Sequence, residues 1–288
     1  MAVVTDKRSA AISEHRKSRE LLWSLTMREV QGRYKRTALG NLWSLVNPVA
    51  TMVIYSIVFG ILLRVTIEPS RTGLDVFALW LVCALLPWTF LSNAISAGLD
   101  AVLGNANLVK KVYFRREVLV GAAVLALDVT FLTEMAVVAL ALLIAGNMVL
   151  PWIPVVLVLV ALLTVFAMGI ALALAVANIY FRDTKHFVAI FLQVWMYITP
   201  IIYPISYVAT AEQYVNSKTA KYGISVPMEM LWNLNPMLHF TNAFRSAMYE
   251  LTWPSAEDML WCVGSAAVSL AVGWTVFSRF RDRLAEEL

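Results

Sequence analysis

Six long runs of apolar residues, separated by short charged segments, dominate the chain. They cover roughly 42–63, 74–98, 118–145, 151–177, 187–207 and 259–278. Each is around twenty residues long, about what a helix needs to cross roughly 30 Å of hydrocarbon. A membrane β-barrel would instead alternate apolar and polar positions in segments of about ten, and no such alternation runs through these windows. The expected architecture is an all-α polytopic membrane protein with six transmembrane helices, fairly regular because Gly and Pro are sparse. Six crossings put both termini on one side. The organisation expected is a tail with an amphipathic helix over 1–41, a transmembrane domain over 42–278 and a short tail over 279–288.

The segments between the runs are patterned too. Residues 20–36, ELLWSLTMREVQGRYKR, place Trp23, Met27, Val30 and Tyr34 on one helical face and Ser24, Arg28, Gln31 and Lys35 on another. Such a helix suits the headgroup layer, as an anchor or as a brace for a partner on the same side. The loop 100–118, DAVLGNANLVKKVYFRREV, is too long for a simple connector. Asn107 can cap a short helix containing Leu108, Val109, Val112, Tyr113 and Phe114, with Lys110 and Lys111 within it and Arg115 and Arg116 after it. Its exposed aromatics and cations fit either a docking knob for another protein or a second headgroup helix with snorkelling cations. The loop 177–186, ANIYFRDTKH, mixes Arg182 with Asp183. The last loop, about 204–257, is expected to hold one or two short helices broken at Asn235 and Pro236, closing the mouth of a pathway.

Composition fixes the class. Of 288 residues, 60% are hydrophobic and 15% charged, whereas a soluble domain carries about 45–50% apolar and about 25% charged residues. Charge fixes the expected orientation. On the six-span topology, 18 of the 23 Lys and Arg fall on the side of the termini, which makes that side the cytoplasm. The net charge of +4 then reflects topology and not nucleic-acid binding. The first twenty residues are charged and lack an apolar h-region, so no cleavable signal peptide is expected. Cys83 and Cys262 fall inside spans and read as packing residues.

Catalytic motifs are missing from the sequence. It contains no GxxxxGK[ST], HExxH or GxSxG, and its three histidines, 15, 186 and 239, are scattered. Two intramembrane acids, Asp128 and Glu134, are costly in lipid and should face protein or a wet cavity. Six residues apart, they cannot share a helix face. They serve either as structural hydrogen-bond acceptors or as the proton sites of a proton-coupled carrier. A membrane-embedded sugar or lipid transferase is a further alternative, disfavoured by the lack of a clustered acid or His motif. Aromatics crowd the spans. Tyr55 and Phe59 share a face of the first; in the fifth, Gln193, Tyr197, Pro200 and Pro204 form the more polar face, opposite Phe187, Phe191 and Trp195. Rings with a few hydrogen-bonding groups suit sugars, so Tyr55, Phe59, Trp88, Gln193, Trp195, Tyr197 and Tyr203 are the candidate pathway contacts, with interfacial or lipid-facing packing the alternative for each. Small residues at four-residue spacing, among them Gly169 with Ala173 and Ser265, Ser269 with Gly273, predict close helix crossings.

In order and spacing, REVQGRYKRTALGNLWSLVNPV, NANLVKKVYFRREV, NIYFRDTKHFVAIFLQVWMYITPIIYP and LNPM resemble the membrane subunit of polysaccharide ABC exporters. That is the Wzm and teichoic-acid permease branch of the ABC-2 transporters. The resemblance implies a homodimer enclosing one channel in the bacterial cell membrane, driven by two copies of a separate ATPase that binds ATP and Mg. This chain itself would bind no cofactor and would not be an enzyme. By the same resemblance, 105–116 is the coupling helix docking in the ATPase and 20–36 the interface helix beside it. Residues 178–186 are a second contact, 225–250 are outer gate helices within an external segment of about 208–256, and spans one and five line the channel. The cargo would be a lipid-linked polysaccharide of galactan, O-antigen or teichoic-acid type, the wording being closest to an actinobacterial galactan exporter. The family often has a proline where this chain has Arg115, so the coupling helix is expected to lack its stop and to run on into span three.

Overall fold

The computed structural model describes residues 19–33, 43–62, 70–111, 114–219, 227–281 and 283–285. These residues are helical throughout, with turns between. In chain order the helices are α1 (19–33), α2 (Trp43–Tyr55), α3 (Phe77–Ala101), α4 (Ala106–Lys111), α5 (Glu117–Ile144), α6 (Ile153–Tyr180), α7 (Thr184–Ile198), α8 (Ser206–Thr219), α9 (Met228–Asn233), α10 (Pro236–Met248) and α11 (Ala256–Phe280).

Four of these, over 77–101, 117–144, 150–180 and 256–280, are long and apolar enough to cross a membrane. The windows expected as spans one and five do not form regular helices of that kind. The first is an α-helix only to Tyr55 and then widens into a π-helix over Ser56–Leu62, a segment that contains Gly60. The fifth stops at Ile198, after 15 residues. Its C-cap Thr199 is extended (φ −79°, ψ 129°) because it precedes Pro200, whose ring disfavours helix in the residue before it. Pro200 and Pro204 therefore lie beyond the helix and do not share a helical face with Gln193 and Tyr197.

The core sits around α3, which is buried over most of its length and packs on α2, α5, α6, α7 and α10. The tightest crossing joins α6 and α11 through the small residues. A Cβ on Gly169 or on Gly273 would overlap the facing backbone, and Ser269 Oγ donates to the Phe166 carbonyl at 3.0 Å. The α5–α6 turn closes tightly at Gly146 (φ +91°), and Asn147 Nδ2 then donates to the carbonyls of Met248 and Tyr249 at the end of α10.

Long-range contacts define two ends of the bundle. One end gathers α1, α4, the C-termini of α3, α6 and α11, and the starts of α5 and α7. It is held by Arg28 on Asn105, Lys185 on Asp100 and Tyr180 against Phe280. The opposite end gathers the α5–α6 turn, the segment before α3 and the end of α10, where Tyr249 Oη donates to Leu74 O at 2.8 Å and Trp152 meets Trp253 edge-on.

Candidate functional site

At the terminal end, α1 lies against the bundle through a face other than that of Trp23. Leu25 and Thr26 are buried, Leu21 and Leu22 are half-buried, and Leu22 meets the Gly121 position of α5, while Trp23 is 66% exposed. Met27 is half-buried. Arg28 points sideways, donating to Asn105 Oδ1 at 3.0 Å, and Asn105 Nδ2 donates to Ala101 O at 2.8 Å. Arg28 therefore ties α1 to the turn that starts α4. Tyr34 and Lys35 lie outside the described residues.

A 3-10 turn over Leu103–Asn105 leads into α4, so Asn107 is inside the helix and is not its N-cap. Val109 is buried and Leu108 half-buried, and these two hold α4 to the core. Asn107, Lys110 and Lys111 are left exposed. The helix does not run on into α5. It ends at Lys111, and Phe114–Arg116 form a non-helical corner before α5 begins at Glu117. Side chains take over the stop that a proline would supply. Phe114 turns inward against the core instead of standing exposed, Arg115 Nε donates to Glu117 Oε1 at 2.6 Å and faces the Trp274 ring, and Arg116 donates to the Arg281 carbonyl. Arg115 and Arg116 thus fasten this corner to α11. Tyr113 lies outside the described residues.

Arg182 and Asp183 are exposed at the same end, next to Phe181, which is 72% exposed. Sequence reasoning passed over the acid that holds this loop. Asp100, on the last turn of α3, pairs with Lys185 at 2.5 Å and accepts from Asn178 Nδ2 at 3.4 Å. Its only signal was a charge at the end of an apolar run. Between α1, α3 and α5 a cavity of about 180 Å³ remains, with Arg28, Glu29, Arg33, Asp100 and Asn105 on its polar side and Leu25 and Leu119 among its apolar lining.

Two aromatic rows run through the bundle. Tyr55 stacks on Phe59 (5.6 Å) and Phe59 on Phe77 (5.0 Å), and Phe77 meets Trp80 at a tilt (5.5 Å). The second row sets Phe191 against Trp195 and Trp195 edge-on to Trp88, both at 5.5 Å. Trp88 is only 4% exposed, so it supports α7 from within the core and offers no surface to a pathway, contrary to its expected role. Gln193 and Tyr197 are exposed on α7, together with Ile190 and Val194. Tyr203 folds back after the break, its hydroxyl donating to Tyr197 O at 2.9 Å.

One helix grips the α7 break from two sides. A helix end leaves carbonyls without intrahelical partners, and prolines at 200 and 204 bring no N–H groups. Irregular backbone inside a membrane bundle survives only where protein satisfies it. From α10, buried Arg245 donates to Pro200 O at 2.9 Å and Ile201 O at 2.6 Å, with its guanidinium 3.4 Å over the Trp80 ring. Asn235 caps α10 by accepting from Met237 N, accepts again from Trp195 Nε1 at 2.8 Å, and donates to Thr199 Oγ1 at 2.9 Å. Arg245 thereby joins Trp80, at the end of the first row, to the backbone after α7, and Asn235 joins α10 to Trp195 and Thr199 at the end of α7. The sequence had shown Asn235 only as a helix breaker and Arg245 only as a loop cation.

In the membrane interior Asp128 accepts from Thr164 Oγ1 at 2.9 Å, bonding α5 to α6. Glu134 is half-buried on α5.

A lipid-spanning helical bundle with a charged, rigidly braced end and a broken helix bearing exposed polar and aromatic groups is the build of a multi-pass membrane transport subunit. The pattern describing the ABC-2 type transporter family matches residues 20–216, and the chain belongs to that family. It is 29% identical over 269 residues to the O-antigen export system permease protein RfbA of Myxococcus xanthus, covering 93% of this chain and 94% of that one. It is also 29% identical to an O-antigen export system permease protein RfbA of Klebsiella pneumoniae, over 93% of this chain and 95% of that protein. A second such Klebsiella protein is 30% identical over 64% of this chain and 69% of its own length.

Proposed function

We propose that this chain is the transmembrane subunit of an ATP-driven exporter that moves a lipid-linked polysaccharide from the cytoplasmic to the outer side of the cell membrane. Two copies form the channel, and two copies of a separate ATPase subunit, which binds ATP and Mg, drive it. The observation that carries this reading is the terminal end. There Asn107, Lys110 and Lys111 of α4 and Arg182 and Asp183 before α7 are exposed on one side of the bundle. The bonds Arg28–Asn105, Lys185–Asp100 and Arg116–Arg281 hold their supports to α1, α3, α7 and α11. A surface braced in this way transmits a push from a docked partner to the helices without flexing first. The excess of Lys and Arg on this side supports its facing the cytoplasm.

A polymer longer than the bilayer is thick does not fit one closed pocket, so the pathway is a continuous one with weak repeated contacts. Exposed Gln193 and Tyr197, with Tyr55, Phe59 and Tyr203 beside the π-helical and broken segments, supply such contacts. The names of the relatives favour an O-antigen type of polymer over the galactan and teichoic-acid types. A proton-coupled carrier would need Asp128 and Glu134 as proton sites, but the Thr164 bond gives Asp128 a structural use.

The test is to express the tagged chain with its neighbouring genes, purify it in mild detergent and assay vanadate-sensitive ATP hydrolysis. A stoichiometric P-loop subunit with such activity is the expected result. A stable chain with no ATPase partner and no hydrolysis refutes the reading. The polymer is identified as the lipid-linked glycan that accumulates inside cells lacking this chain.

A further inference from the structure

His239 sits on α10, outside the spanning helices, and is 3% exposed. Its Nδ1 lies 2.8 Å from Asp258 Oδ1 on α11, and its Nε2 lies 2.8 Å from the carbonyl of Asn233, the last residue of α9. A carbonyl only accepts. Asp258 also accepts, since Ser255 Oγ donates to its other oxygen at 2.6 Å while capping α11. The proton between Asp258 and His239 resides on the imidazole, the stronger base by roughly 2.5 pH units. Both ring nitrogens must therefore be donors, which only the imidazolium provides. The ring also stacks on Trp261 at 5.0 Å and 3°, an arrangement that favours a cation over the indole face.

We propose that His239 is a proton-operated latch: as the imidazolium it fastens the end of α9 to α10 and α11, and its loss of one proton as the external pH rises releases the Asn233 carbonyl. Neutral imidazole has a single N–H, and the charged acceptor Asp258 keeps it. Nε2 then turns a lone pair toward the Asn233 oxygen, which repels it. Asn233 is exposed, so water replaces the imidazole and the α9–α10 hinge opens. That hinge runs directly into Asn235, which holds Trp195 and Thr199, so its release reaches the break in α7.

Burial by itself lowers the basicity of the ring. The hydrogen bonds to Asp258 and Asn233, with the charges of Asp258 and Glu257, outweigh it and raise His239 above the ordinary histidine value. With the folded value raised, the latch holds fully below about pH 6.5 and is lost as pH rises through that raised value. Among the described residues, no other ionisable group on the elements packed around α10 bonds the His239 ring. Cys83 of α3 and Arg245 of α10 face each other, Cys262 of α11 lies beside Asp258, and Tyr180 is at the far end of α6 against Phe280. Glu229 of α9 has its amide bound to Glu212.

That α9 and α10 form an outer gate rests on the proposed function; the proton-dependent contact does not, and the experiment reads the contact alone. The full chain is placed in lipid nanodiscs with 15N-labelled histidine, His15→Asn and His186→Asn leaving His239 as the one signal. Both ring nitrogens are expected to be protonated at pH 6, and one is expected to lose its proton as the pH is raised through the titration. Amide exchange over 228–240, corrected for its intrinsic pH dependence, should rise about tenfold to hundredfold across the same transition, the equivalent of one charge-assisted hydrogen bond. Asp258→Asn should move the transition to lower pH, and His239→Gln should make the exchange independent of pH. Should either variant not fold, the unsubstituted ring still decides. A neutral ring at pH 6, or a titration that leaves the exchange of 228–240 unchanged, overturns the latch.

Discussion

Arg245→Met tests whether the break in α7 is held from α10. The substitution keeps an unbranched apolar stem but removes every donor from a site in which Pro200 O and Ile201 O have short bonds to the guanidinium and Trp80 O has a longer one of 3.4 Å. Hydrogen bonds to a charged group are worth about 1.5–3 kcal/mol each, and a carbonyl left buried and unpaired costs about 1–3 kcal/mol. The cation over Trp80 adds about 1–2 kcal/mol. Against this, the variant is relieved of desolvating a guanidinium, a penalty of several kcal/mol. The net expected loss is about 3 kcal/mol, since two carbonyls stay dry whichever side chain replaces the arginine. Equilibrium unfolding in mixed micelles of mild detergent and SDS measures it, and amide exchange over 198–208 localises it. Arg245→Lys, with one compact ammonium for two divergent carbonyls, should recover less than half of the loss. A Met variant within about 0.5 kcal/mol of the unsubstituted protein, with unchanged exchange at 198–208, would falsify the claim that Arg245 sustains the break.

Asn235→Ala removes the α10 cap and leaves Trp195 Nε1 without its acceptor, while Thr199 Oγ1 keeps its bond to the Trp195 carbonyl, so a loss of about 2–3 kcal/mol is expected in the same unfolding assay. Gly273→Leu, which drives a side chain into the Gly169 backbone, should prevent α6 and α11 from closing and leave little protein in the monodisperse fraction; a normal yield would contradict the crossing. Lys110→Glu with Lys111→Glu, both exposed, should leave the unfolding midpoint unchanged and abolish ATPase copurification, whereas Phe114→Ala should lower stability because that ring is packed against the core. Asp100→Asn loses only an ion pair whose partners are 41% and 59% exposed, so a stability change below about 1 kcal/mol is expected from thermal unfolding.

Much of this molecule was legible along the chain. Four of the expected spans, the amphipathic helix before the first, a short helix within the 100–118 loop and the helix beginning at Pro236 are all present, because each depends on local composition and backbone geometry. The small-residue stripes also found their use, since Gly169 and Gly273 are where α6 and α11 touch. On α1, Leu22 and Leu25 fill the gap beside Gly121 and leave Trp23 exposed; which face packs on protein was not legible in the sequence, because other helices form that gap.

Hydropathy along the sequence settled that the chain lives in a bilayer and is helical, because the length and apolarity of a window are local quantities and lipid leaves helices few rivals. Partners of buried polar groups are not local. Pro200 announced a break but not that Arg245, 45 residues on, would satisfy its carbonyl; Asn235 announced a turn but not the Trp195 and Thr199 it holds; His239 looked like an isolated ring until folding set an acceptor against each nitrogen. Only the tertiary structure brings such groups within 3 Å of one another, and in a dry interior that distance decides which side chains the protein cannot do without.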